Sequence, residues 1–363
     1  MLVLKALGAY APNVVGGWLQ RRFRRFPAVS AVPAHAPAEH SRALDLGCEY
    51  PILPDPEEGE QLMAVPNLVL ITGAGGVGRT VLEKLRAEEV PVRVMVRRDD
   101  DRAAQLRALG AEVVLGDLTQ PETVAAALEG AKSMYFAMPV SPDHLLAATV
   151  AASAAREYGK LDALIDMSQM TVSQMTATST AESHQQRLHW LAEQVLNWSG
   201  LPVVHIRPTS FLDNPLFTTL PAQTIRENGT IALPFGAGRT SPIAVDDVAR
   251  SVAAVLRDPL PHVGHVYELT GPRTLDMTEM AEGFSNALGR PVAYVDVPLE
   301  QWRAEVLSKI DLPPHIEQHI VTMCRLHQQN RYDRASQDVE NLTGQPAQTI
   351  EEFVAARKDL YLG

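Results

Sequence analysis

One segment constrains this chain more than any other: in NLVLITGAGGVGRTVLEKL, residues 67 to 85, an apolar run leads into Gly73, Gly75 and Gly78 at G-x-G-x-x-G spacing and then into an amphipathic run. The apolar run reads as a short buried strand, and the following apolar positions recur at helical spacing. The glycines therefore occupy a strand-to-helix turn. There the first permits the tight turn, the second lets a pyrophosphate approach the backbone, and the third allows close packing of helix on strand. The free N–H groups of a helix start, aided by the helix dipole, bind phosphate. Opening a βαβ unit of about 30 residues, the motif points to a dinucleotide; a degenerate Rossmann domain with an empty pocket is the alternative.

The pattern continues in the same rhythm. PVRVMVR is strand-like, DRAAQLRALG leads into AEVVLGDL, and PETVAAALEGA leads into KSMYFAMP. Helices are predicted over 142–158, before DALIDMS, and over 183–198, before PVVHIRP. Such alternation specifies an α/β fold, a doubly wound and mostly parallel Rossmann sheet covered on both faces. Beyond Pro208 the chain becomes irregular, and a helix from Asp247 to Arg257 and the strand HVYELTG return to the sheet. The remainder forms a small α+β C-terminal substrate lobe over the carboxyl ends of the strands. The expected boundaries are 66–208 and 240–271 for the dinucleotide-binding domain, and 209–239 and 272–363 for the lobe.

Residues 1–65 read as a flexible N-terminal extension. The first 38 residues hold Lys5, Arg21, Arg22, Arg24 and Arg25 and no acid, whereas residues 30–62 are acidic and proline-rich. VVGGWLQRRFRRF suits a short basic amphipathic turn, and both an organelle-type presequence and a tail upstream of a functional start at Met63 stay open. Over the whole chain a formal charge of −11 argues against direct nucleic-acid binding. No apolar run reaches the length of about 20 residues that a membrane span needs. Cys48 and Cys324 are too few for a disulfide framework or a four-thiolate metal site, which suits a reducing compartment such as the cytoplasm. No H-E-x-x-H or G-x-S-x-G pattern occurs, so neither a metal site nor a serine nucleophile is expected.

Further candidates follow from position. Arg97 and Arg98 end the second strand, where a guanidinium can pair with a 2′-phosphate; this favours NADP(H) over NAD(H), with a solvated charge cluster as the alternative and Asp99 opposing. Asp117 and Leu118, in GDL, follow the third strand, and the Asp117 carboxylate could accept from adenine or cap a turn. Phe136, Ala137, Met138 and Pro139 end the fourth strand and line the cofactor cleft, with core packing as the other use of Phe136 and Met138. Ser168 closes the fifth strand, from which it could polarise an acceptor oxygen or cap a turn, and Gln169 could add a hydrogen bond. Pro208 and Phe211 shape the nicotinamide side, Phe211 as aromatic wall or core plug.

With GAGGVGR, GDL, HWLAEQVL, HIRPTSFLDN, SPIAVDDVAR and YELTGPRTLDMTEMAEGFSNALGRPVAYVDVP in this order, the chain resembles the NmrA-like branch of the atypical short-chain dehydrogenase/reductases across residues 66 to 356. The resemblance implies a dinucleotide-binding domain, NADP as the usual cofactor and a small C-terminal substrate lobe. Its members include quinone and dye reductases and redox-sensing regulators. Many carry TGATGxxG, one residue longer than the loop here; Thr72, Gly73, Gly76 and Gly78 match around that shortening, with Val77 between the last two. Aligning Glu193 with the family helix puts Gln185 at the tyrosine position and His189 at the lysine position of Tyr-x-x-x-Lys. No tyrosine occurs between Tyr158 and Tyr267, so the standard acid is missing. His189 then stands as a candidate for ribose or substrate contact and for proton donation, or as a surface residue.

The expectation is NADPH-dependent reduction of a quinone or similar conjugated small molecule by direct hydride transfer, which needs an aligned and shielded nicotinamide more than a tyrosine. The alternatives are an NADP(H)-binding redox sensor or regulator with little turnover, and a structural scaffold that binds no nucleotide. A homodimer through sheet-flanking helices and a regulatory protein partner stay open beside the small-molecule acceptor.

Overall fold

A computed structural model describes residues 67–363. The basic opening, the amphipathic turn, Cys48 and Met63 lie outside the described residues. In chain order the elements are β1 (Val69–Ile71), α1 (Gly76–Ala87), β2 (Val92–Val96), α2 (Asp101–Ala108), β3 (Glu112–Leu115), α3 (Pro121–Leu128), β4 (Ser133–Phe136), α4 (His144–Tyr158), β5 (Ala163–Met167), α5 (His184–Trp198) and β6 (Val203–Pro208). They continue with α6 (Thr219–Asn228), β7 (Thr230–Leu233), α7 (Val245–Arg257), β8 (Val266–Leu269), α8 (Met277–Leu288), β9 (Ala293–Asp296), α9 (Leu299–Glu305), α10 (Pro314–Gln328), α11 (Asp338–Thr343), α12 (Ile350–Ala355) and α13 (Lys358–Leu362).

Seven strands form one sheet in the order β3-β2-β1-β4-β5-β6-β8, with every neighbouring pair parallel. This is the expected doubly wound α/β sheet. The strand order reverses between β1 and β4, whose registered partners include Val69 and Ser133. Ligands of such sheets sit in the crevice outside the carboxyl ends at this reversal. Every residue of β1 is buried, as a central strand covered on both faces requires.

Side-chain alternation sends the sheet's apolar residues into two layers. On one face Val69, Ile71, Tyr135 and Ile165 pack with Val81, Leu82 and Leu85 of α1 and with Val248 and Val252 of α7. On the other, Leu70, Met134, Phe136 and Leu164 pack with the alanine-rich side of α4 and with Ala192 and Leu196 of α5. Helix α5 begins at a capping box in which Ser183 accepts from Gln186 N and Gln186 accepts from Ser183 N, so the S-x-x-Q sequence locates its start.

A third apolar cluster belongs to the lobe. The parallel pair β7-β9 and helices α6, α8, α9, α10, α12 and α13 enclose Phe217, Phe235, Phe284, Trp302, Phe353 and Tyr361. Val339, Leu342 and Ala347, in a stretch that the sequence assigns to the lobe, instead join the cluster of β1, α1 and α7. Among the described residues no helix is long and apolar enough to cross a membrane.

In the layer of α1 and α7 the Tyr135 hydroxyl is buried without a hydrogen-bond partner, and burial raises its pKa further above the ordinary value. An unpaired buried hydroxyl costs about 1 kcal/mol or more, so Tyr135→Phe is expected to raise Tm by roughly 2 °C in a thermal melt of the cofactor-free protein. A fall in Tm would show that the hydroxyl has a partner.

Candidate cofactor and acceptor site

A cavity of about 320 Å³ opens where β1, β2, β4 and β5 end, and Pro313, His315 and Ile316 at the start of α10 close over it. Its lining includes Thr72, Gly73, Gly75, Gly76, Val77 and Gly78 of the turn. These glycines divide the work by steric demand. A Cβ on Gly73 would lie 2.6 Å from Ala137 O, and one on Gly78 would overlap the carbonyl oxygen of Gly73, so both permit close backbone packing. A Cβ on Gly75 or Gly76 would meet nothing closer than 3.7 and 3.9 Å. Gly75 is the N-cap of α1 with no side-chain cap, and the first turn carries no acid. Open space and uncapped N–H groups at a helix start fit a pyrophosphate. Thr72 secures the adjoining wall: its Oγ1 donates to Ala137 O at 3.1 Å and accepts from Ala137 N at 3.1 Å.

Toward β2 the lining is cationic, with Arg97, Arg98 and Arg102. The neighbouring acids are engaged elsewhere. Asp99 pairs with Arg107 at 2.6 Å, and that hydrogen bond holds its carboxyl below the ordinary value. Asp100 caps α2 by accepting from Arg102 N and Ala103 N. Asp117 accepts from Thr119 N at 2.9 Å and Thr119 Oγ1 at 2.8 Å, with Arg97 Nε 3.7 Å away. Burial raises the Asp117 carboxyl, but these bonds and Arg97 outweigh it and bring the pKa below the ordinary value. Leu118 lines the cavity and the Asp117 side chain serves its own turn.

Toward β4 and β5 the lining becomes apolar, with Ala137, Met138, Pro139, Val140, Met167 and Phe211. Phe136 and Pro208 are not brought to it. Phe136 points to the opposite layer, where its ring lies 5.9 Å from that of His144, and Pro208 is buried at the end of β6. The residues singled out for catalysis are absent from the lining as well. Ser168 Oγ is buried without a partner, and Gln169 precedes a 3-10 turn that its side chain does not cap. The His189 ring lies tilted against that of His144, with centroids 4.0 Å apart; burial, then the neighbouring His144 and His319, hold its pKa well below the ordinary value.

Other side chains that the sequence left unremarked do reach the cavity: Arg102, Ser141 and His315. Arg102 follows the N-cap of α2 by two residues, so a capping argument starting from Asp100 points toward it. His315 carries no local signal, because its neighbour Gln185 lies 130 residues earlier.

Asp166, Glu193 and His205 bring metal-ligand atom types close together. They form two ion pairs instead: His205 Nδ1 lies 2.9 Å from Asp166 Oδ2, and Arg207 Nε donates to Glu193 Oε1 at 2.9 Å. Burial disfavours charge on His205, but the Asp166 bond outweighs it and raises the imidazole pKa. The Cys324 thiol is buried and pushed up to about 12, which keeps it protonated near neutral pH.

Residues 66–354 match the NmrA-like family. The chain belongs to that family. The NAD(P)H azoreductase of Xenophilus azovorans is 30% identical over 291 residues, covering 80% of this chain and 97% of that protein. The NADPH-dependent quinone oxidoreductase of Escherichia coli, solved with NADPH, gives a TM-score of 0.69 at 23% identity over 80% of this chain and 99% of that one. NmrA, a negative transcriptional regulator solved with NADP, gives 0.67 at 19% identity over 80% and 94%. At these identities the two solved structures establish the shared fold.

Proposed function

We propose that this NmrA-like protein uses NADPH to reduce a planar conjugated acceptor, a quinone or an azo compound. The chain is an oxidoreductase, the activity named for the azoreductase that matches 80% of its length. The observation that carries the finer reading is the polarity of one cavity: an uncapped helix start and three guanidiniums toward β2, and apolar walls toward β4 and β5. When bound, a reduced nicotinamide dinucleotide supplies a hydride, and with it two electrons.

The residues of the chain bind and shield. The backbone of Gly75, Gly76 and Val77 receives the pyrophosphate, while Arg97, Arg98 and Arg102 receive a 2′-phosphate, which is why NADP(H) is favoured over NAD(H). Met138, Pro139, Met167 and Phe211 exclude water from the reacting face and offer flat apolar surface to a conjugated ring.

The test is NADPH oxidation by the purified protein with a panel of quinones, azo dyes and enones, beside calorimetric binding of NADPH and NADH. Oxidation with a quinone or azo dye and tighter binding of NADPH are expected. Binding without oxidation by any acceptor would transfer the reading to a redox sensor, and no binding of either cofactor would remove it.

A further inference from the structure

We propose that His315 selects acceptors that carry an O–H or N–H group on the conjugated frame, by accepting a hydrogen bond at Nδ1. This rests on the reading of the cavity as an acceptor site and adds the substrate subclass.

Ser141 and His315 are polar members of the lining at the end otherwise walled by Met138, Pro139, Val140, Met167 and Phe211. Ser141 follows β4 and His315 reaches Gln185 of α5, whereas Arg97 and Arg98 follow β2 and Arg102 lies in α2. The Ser141 N–H donates to Gln185 Oε1 at 3.1 Å, and a backbone N–H can only donate, so this end of the amide is its oxygen. Gln185 is buried and keeps this orientation although its Nε2 has no partner.

His315 Nε2 lies 2.8 Å from the same oxygen and must therefore carry a proton. In the neutral ring Nδ1 then bears the lone pair. The neutral form prevails because burial, and then the His184 ring lying edge-on at 5.4 Å, lower the His315 pKa. Among the described residues nothing donates to Nδ1. An imidazole nitrogen that accepts, beside an apolar wall, favours a ligand that brings a donor: a phenol or an arylamine conjugated to the reducible group, rather than its alkylated counterpart.

The probes are para-hydroxyazobenzene and its methyl ether, bound to the full chain saturated with NADP+ and followed by the dye's absorbance shift. Binding of the phenol about tenfold tighter than the ether is expected, one directed hydrogen bond's worth. His315→Phe is expected to remove that gap, and His315→Gln, which restores an acceptor oxygen, to recover part of it, with melting curves confirming that both variants fold. Gln185→Leu frees the tautomer and is expected to narrow the gap without touching the dye. Equal binding of the two dyes by the wild type, or a gap that survives His315→Phe, overturns the proposal while NADPH oxidation by other acceptors leaves the reductase reading intact. Binding of neither dye also overturns it, and only the further absence of NADPH oxidation with every acceptor removes the reading beneath.

Discussion

Gly75→Val is expected to leave the protein folded and to weaken NADPH binding about a hundredfold or more, whereas Gly78→Ala is expected to damage the fold itself. The contrast follows from what surrounds each glycine. Gly75 is extended, at φ −84° and ψ −175°, a conformation open to any residue, and a Cβ there would meet only Arg102 Nη2 at 3.7 Å. Extra carbons therefore stand in the cavity and not in the core. A Cβ on Gly78 would overlap a backbone carbonyl oxygen, which can move only by separating α1 from the end of β1. That overpacking costs about 3 kcal/mol, or roughly 6 °C in Tm. Thermal melts beside NADPH fluorescence titrations check both. Wild-type affinity in a folded Gly75→Val protein would show that phosphate does not lie on this turn.

Loss of the three guanidiniums toward β2 is expected to erase the preference for NADPH over NADH. Each charge-assisted hydrogen bond to a phosphate is worth about 1.5–3 kcal/mol, so Arg102→Ala alone should raise the NADPH Kd about tenfold to a hundredfold. NADH lacks the 2′-phosphate and should change by less than about twofold. Arg107→Ala supplies the opposite test, since it releases the Asp99 carboxylate that Arg107 now engages at 2.6 Å. A free carboxylate beside the ribose repels a phosphate and accepts from hydroxyls, so this variant should shift preference toward NADH. Because these side chains are solvated, the discrimination should also shrink with added salt. Titrations of the two cofactors at two salt concentrations measure every one of these shifts. Equal losses for NADPH and NADH in Arg102→Ala would place the arginine on the pyrophosphate instead.

Legibility in the sequence tracked the range of the interaction. The glycine turn was readable because its parts are local: β1, the turn and α1 are consecutive, and the free N–H groups belong to the backbone. The start of α5 was readable for the same reason, since Ser183 and Gln186 bond to each other. Phe136 was ambiguous until its neighbours in β4 were placed. Alternation along the strand sends it to the α4–α5 layer, while Tyr135 beside it turns to the layer of α1 and α7. Asp99 seemed to oppose a 2′-phosphate when read by position, and the meeting with Arg107, eight residues on, reverses that meaning.

The histidines mark the limit. An alignment of short motifs puts His189 at a position of catalytic interest, yet its ring lies against His144 in the interior. His315 reaches the cavity through a lobe more than a hundred residues downstream, and only the shared oxygen of Gln185 reveals its tautomer. By itself the sequence determined the αβ alternation, the parallel sheet and the glycine turn, because strand and helix periodicity and a backbone turn are properties of contiguous residues. The tertiary structure alone decided which charges remain free and which imidazole meets the cavity. Those outcomes depend on distances between segments that periodicity does not encode.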